Sequence, residues 1–84
     1  MRVENFGDVE VEVTDLDDVT AQERVLEFRT SAAKNSFAAV SLAYGGRWSD
    51  ARLSIDPLAG DLSADLVGEL IVFARRVMEW DRSA

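Results

Sequence analysis

Cysteine and histidine are absent from this chain, and lysine and proline each occur once, as Lys34 and Pro57. Without cysteine there is no disulfide staple and no thiol chemistry. Without histidine the commonest general base is missing, and with it every triad that depends on one. A structural zinc site loses both of its usual soft donors. No apolar run reaches transmembrane length, and Met1-Arg2-Val3-Glu4-Asn5 lacks the charged-then-apolar order of a signal peptide. No Asn-x-Ser/Thr sequon occurs. A cytoplasmic location is the expectation.

Positive charge is scarce as well. Sixteen carboxylates stand against nine basic residues, for a net charge of −7. That balance disfavours direct binding to nucleic acid, where Lys and Arg must displace counterions, and it disfavours an anionic membrane surface. Basic partners stay open. Eight of the nine basic residues are arginine and alanine is abundant, pointing to a GC-rich bacterial or phage coding bias.

What is present is enough for one folded domain spanning 1–84. Apolar residues make up 48% of the chain, too many for intrinsic disorder. The stability margin of so short a chain is thin, because ordering costs roughly 1.5 kcal/mol per residue and nearly cancels the gain from burial. Self-association is a common remedy, so a homodimer is expected.

Val9, Val11 and Val13 alternate with Asp8, Glu10 and Glu12, the period of a strand with one wet face. Asp15-Leu16-Asp17-Asp18 should break that strand. Residues 19–33 carry two signals. Thr20-Ala21-Gln22-Glu23 matches a helix capping box, yet Leu26, Phe28, Thr30 and Ala32 alternate with Glu27, Arg29 and Ser31. The strand reading is preferred, with Lys34-Asn35 as its turn. Phe37 to Tyr44 reads as a strand with Val40, Leu42 and Tyr44 on one face. The small residues Ala39, Ser41 and Ala43 fill the other, suggesting that something packs close to it. Gly45-Gly46 suits a tight hairpin, and a further strand runs from about Trp48 to Ile55, ended by Asp56-Pro57.

The clearest element is an amphipathic helix from Ser63 to Trp80, capped by Asp61 or Ser63 with Asp65 in its first turn. Leu66, Leu70, Phe73 and Val77 make one apolar stripe, and Val67, Ile71, Ala74 and Met78 make a second beside it. Asp65, Glu69, Arg76 and Glu79 lie opposite. The expected fold is α+β, a four-stranded antiparallel meander packed against this helix (β-β-β-β-α), with β-α-β-β-α as the alternative. Two stripes are more than one face of a four-stranded sheet needs.

Candidate chemistry is sparse. Asp15, Asp17 and Asp18 begin like a calcium loop but lack its later ligands and glycine. Glu10 and Glu12 share a strand face as a pair of acid and base carboxylates would, which any strand with one wet face also produces. Lys34 between Ser31 and Ser36 sits at a turn tip, the wrong place for the desolvated lysine of a Ser–Lys dyad. Gly45-Gly46 is too short for a phosphate loop. No catalytic, cofactor-binding or metal-binding residue is assigned, and no enzymatic activity is expected.

The expected function is therefore non-enzymatic: a small acidic accessory or regulatory protein that binds another protein, or a second copy of itself. Its candidate contacts are Arg47, Trp48 and Arg52 together with Val67, Ile71, Met78 and Trp80, since tryptophan and arginine are enriched at interfaces. A different expectation makes the acidic residues Glu4, Asp8, Glu10, Glu12, Asp15, Asp17 and Asp18 a nucleic-acid-like surface that docks on a basic partner. A metal-assisted carboxylate hydrolase is the least favoured alternative.

Overall fold

The structure, a computed structural model, describes the backbone of residues 2–83 and the side chains of residues 2–79. It is an α+β fold. Five antiparallel strands, β1 (Arg2–Phe6), β2 (Val9–Asp18), β3 (Glu23–Thr30), β4 (Ala38–Ala43) and β5 (Arg52–Ile55), pair in chain order, and one helix, α1 (Ala64–Ser83), crosses one face. Single 3-10 turns at Trp48–Asp50 and Pro57–Ala59 flank β5. Among the described residues, no helix is long and apolar enough to cross a membrane.

The meander has one strand more than expected, because β1 precedes the valine strand. Gly7, with φ of 60°, and Asp8 form a two-residue turn that pairs Phe6 with Val9. Towards the helix, β1 presents Arg2, Glu4 and Phe6, so only one of its three inward positions is apolar.

Residues 23–30 are strand, which removes the β-α-β-β-α alternative. The capping-box sequence serves the β2–β3 turn instead. Asp18 Oδ1 accepts from the Ala21 N–H at 3.0 Å, and Gln22 takes the left-handed conformation at φ 56°. Asp15 and Asp17 do not break β2, which continues to Asp18 with full pairing to β3. There the strand passes beyond its apolar stretch, and Asp15 is held by the Arg24 guanidinium, whose Nε donates at 2.9 Å. The hairpin expected at Gly45-Gly46 is a longer connection. Trp48 leaves the strand and forms a 3-10 turn, so β5 begins only at Arg52.

The core lies between the sheet and α1. Val11, Val13, Leu26, Phe28, Val40 and Leu42 from the strands meet Leu70, Phe73, Ala74 and Met78 from the helix. Three rings tie the layers together. Phe6, Phe28 and Phe73 have centroids 5.6 to 6.4 Å apart in tilted and edge-on arrangements, favourable for aromatic quadrupoles. The Arg2 guanidinium closes this corner 5.1 Å above the Phe73 ring. Ser63 caps the helix, its carbonyl accepting from Val67 N–H at 3.1 Å and its hydroxyl from Leu66 N–H at 3.4 Å.

The small residues Ala39, Ser41 and Ala43 face away from α1. Their neighbours on that outer surface include Glu12 and Arg29, which are registered opposite each other and joined by a 2.6 Å bond.

Candidate functional site

A five-stranded sheet is about 19 Å across at ordinary strand spacing, while a helix with its side chains is about 10 Å wide. One helix therefore leaves part of the face uncovered. At the β1 side Arg2, Glu4 and Phe6 border the gap, and an open hollow of about 610 Å³ lies between β1 and Gly68, Val72 and Phe73 of the helix. At the β5 side the uncovered strand residues are apolar. All four β5 residues are exposed, including Leu53 (38%) and Ile55 (44%), whose side chains point to the helix side opposite Val40 and Ala38.

The 3-10 turn at Trp48 folds back into this gap. Trp48 and Ala51 are half-buried against the core, and a small cleft of about 150 Å³ remains between Trp48, Ala51, Leu53, Val40 and Ile71, bordered by Arg52. Ile71 on the helix is still 36% exposed, and Leu58, in the turn after β5, is 92% exposed. Leu53, Ile55, Trp48 and Ile71 form the site, an apolar flank along the free edge of β5.

The residues picked from sequence divide accordingly. Trp48, Arg52 and Ile71 come together at this flank, and Arg47 is exposed at the start of the same turn. Val67 is half-buried in the helix. Met78 is 1% exposed and belongs to the core, so it presents no surface to a partner. Trp80 lies in α1, and its side chain is outside the described residues. Of the second helix stripe, Ala74 and Met78 are covered, Val67 is half-buried and Ile71 stays exposed, and the fifth strand adds Leu53 and Ile55 to the uncovered residues. Leu53 and Ile55 were missed as site residues because alternation alone cannot tell a covered strand from an edge strand. Proline two residues beyond Ile55 was the available edge signal.

The acidic residues do not form a single face. Strand alternation turns Glu10, Glu12 and Asp18 outward and Glu4, Asp15 and Asp17 towards the helix side, with Asp8 at the turn. Several are neutralised locally: Glu12 by Arg29, Asp15 by Arg24, and Glu4 by Arg2 at 3.6 Å. The outer surface gains Glu23 and Glu27, and Asp18 stands directly opposite Glu23, a like-charge pair that costs stability. Among the described residues, no group of three or more carboxylates is placed to hold a metal ion. Lys34 is exposed and borders an open hollow with Thr14, Glu27, Arg29 and Ser36. The Tyr44 phenol has its pKa raised above the ordinary 10.0, first by desolvation and then by the Asp17 carboxylate, which repels the phenolate and hydrogen-bonds the neutral form.

No protein-family model, curated protein or solved structure matches the chain.

Proposed function

We propose that this chain is a non-enzymatic interaction protein that binds a protein partner through the β5 flank. The observation that carries this reading is the apolar set Leu53, Ile55 and Ile71, left uncovered beside an edge strand with Trp48 packed at its rim. Exposed apolar surface rimmed by polar residues is where proteins dock, and a half-packed tryptophan beside an arginine is the residue set that dominates binding energy. A photo-crosslinking residue at position 53, expressed in the native host, should give discrete protein adducts, whereas the same residue at position 10 should give none. Absence of adducts from position 53 would overturn the reading.

The outer surface favours one other reading. Glu10, Glu12, Asp18, Glu23 and Glu27 share it, and the opposed Asp18 and Glu23 hold like charges together at a cost to the fold. A basic partner would relieve that repulsion, as in docking by an acidic nucleic-acid mimic. Adducts from position 10 that weaken with added salt would carry this second reading, and reversing its outward neighbours Glu12 and Glu27 to lysine should abolish them.

A further inference from the structure

We infer that the occupant of the β5 edge is a second copy of this chain, joined strand to strand about a two-fold axis through Ser54. The inference rests on the interaction reading above and specifies its partner.

The phase of the backbone carries the argument. Asp56 N–H donates to the Phe37 carbonyl at 2.9 Å, continuing the β4–β5 ladder by one residue. In an antiparallel ladder, alternate residues turn both backbone groups towards the same neighbour. Asp56, Ser54 and Arg52 therefore face β4, and Leu53 and Ile55 point their N–H and C=O groups to the free edge. A two-fold axis perpendicular to the sheet keeps both helices on one side. It also requires facing residues to share a face. Centring the axis on Ser54 satisfies both conditions. It sets Leu53 opposite Ile55 of the other copy, and those are the residues with free donors and acceptors. Each such pair exchanges two hydrogen bonds, giving four in all.

Side chains agree with this register on both surfaces. On the helix side, Leu53 and Ile55 of the two copies form one apolar row between the two helices, covering residues that a single helix leaves bare. On the outer side, Arg52 comes opposite Asp56 of the other copy. Among the described residues, no carboxylate pairs with Arg52 within one chain. The Asp56 carboxylate holds the Leu58 N–H through Oδ1, leaving Oδ2 for the arginine. Ser54 meets its own copy at the axis.

The two edges of the sheet also differ. Strands that must not pair carry charges, proline or bulges. β1 turns Arg2 and Glu4 to its helix side, whereas β5 has no charge on that side, and Pro57 falls just after it. The helix side of β1 thus carries two charges and that of β5 none.

The natural absence of cysteine makes the test direct. At the axis, Ser54 and its copy form a non-hydrogen-bonded pair with Cα atoms about 4.5 Å apart, inside the range that a disulfide spans. Arg52 and its own copy are four residues out of register, about 13 Å apart, too far to bridge. Under mild oxidation, Ser54→Cys should cross-link almost fully into a dimer and Arg52→Cys should not, with circular dichroism checking that both variants fold. The unmodified chain should sediment at twice 9.3 kDa at micromolar concentration. A dimer in which Arg52→Cys cross-links and Ser54→Cys does not would overturn the register. A 9.3 kDa species with neither variant cross-linked would overturn self-pairing. In that event, adducts from position 53 to a different protein would still uphold the interaction reading, and their absence would end both.

Discussion

Phe6→Ala is the substitution that best tests how β1 is held. Phe6 is the one apolar residue that β1 sends inward, and its ring touches those of Phe28 and Phe73. Truncating a buried phenylalanine costs about 3–5 kcal/mol. The lower end applies here, because an edge strand can relax into the space left. A domain of this length has roughly 4–13 kcal/mol of stability at 0.05–0.15 kcal/mol per residue, so a loss of about 3 is a large share. With a urea dependence of about 1 kcal/mol per molar for a small protein, the unfolding midpoint should fall by about 3 M. Far-ultraviolet circular dichroism in urea is the assay. Val3→Ala, on the outward and half-exposed side of the same strand, is the control and should shift stability by no more than about 0.5 kcal/mol. Pairing Phe6→Leu with Phe73→Leu in a double-mutant cycle should reveal a coupling of about 0.5–1.5 kcal/mol from the ring contact. If Phe6→Ala moved the midpoint no further than Val3→Ala, β1 would not be docked, and the five-stranded core described above would be wrong.

Two further outcomes follow from single positions. Gly68 lies inside α1, where a Cβ would meet nothing within 4 Å, so Gly68→Ala should raise stability by about 1 kcal/mol in thermal or urea unfolding. A loss instead would mean that another surface closes on this residue. Tyr44 is the only tyrosine, so ultraviolet titration reports it alone. Its midpoint should lie above 10.0 and move back towards that value in Asp17→Asn. A folded pKa raised above the unfolded one stabilises the fold below the unfolded pKa, and that contribution is lost as the pH rises through the folded value. Tyr44→Phe should therefore lessen the fall in stability on the alkaline side.

The parts of the fold that could be read from sequence are those where one face is apolar and covered. Val11 and Val13 of β2, the alternation of β3, the centre of β4 and Leu70, Phe73, Ala74 and Met78 of the helix all lie over the core, and burial enforces their periodicity. β1 could not be found that way, because Arg2 and Glu4 point inward and Val3 outward, the reverse of the usual pattern. Its legible signal was Gly7-Asp8, a two-residue turn with glycine first, placed between a short run and the valine strand. The aspartates of β2 misled for a related reason. Past the core the strand is kept in register by cross-strand charge, Asp15 with Arg24, and charge has no apolar period to detect. Thr20-Ala21-Gln22-Glu23 shows that a capping box requires a helix to cap. In its absence the Asp18 carboxylate accepts from the Ala21 N–H and closes a turn. Of the site, Trp48, Arg52 and Ile71 were visible as residue types suited to contacts. Leu53 and Ile55 alternate like covered strand residues, and it is the width of five strands against one helix that leaves them exposed.

The ordering of this meander also bears on how the chain folds. Every strand pairs with its neighbour in sequence, so the sheet can zip by local steps with little loop-closure entropy at each one. The helix that buries the sheet's apolar face is the last element in chain order. During synthesis, strands carrying Val11, Val13, Leu26, Phe28 and Val40 can emerge from the ribosome ahead of the α1 residues that cover them. Such a species would expose an apolar face and a bare strand edge together, the combination most prone to aggregation or to capture by a chaperone. Fast local pairing thus gives this small domain a quick start and leaves its most vulnerable moment just before the end.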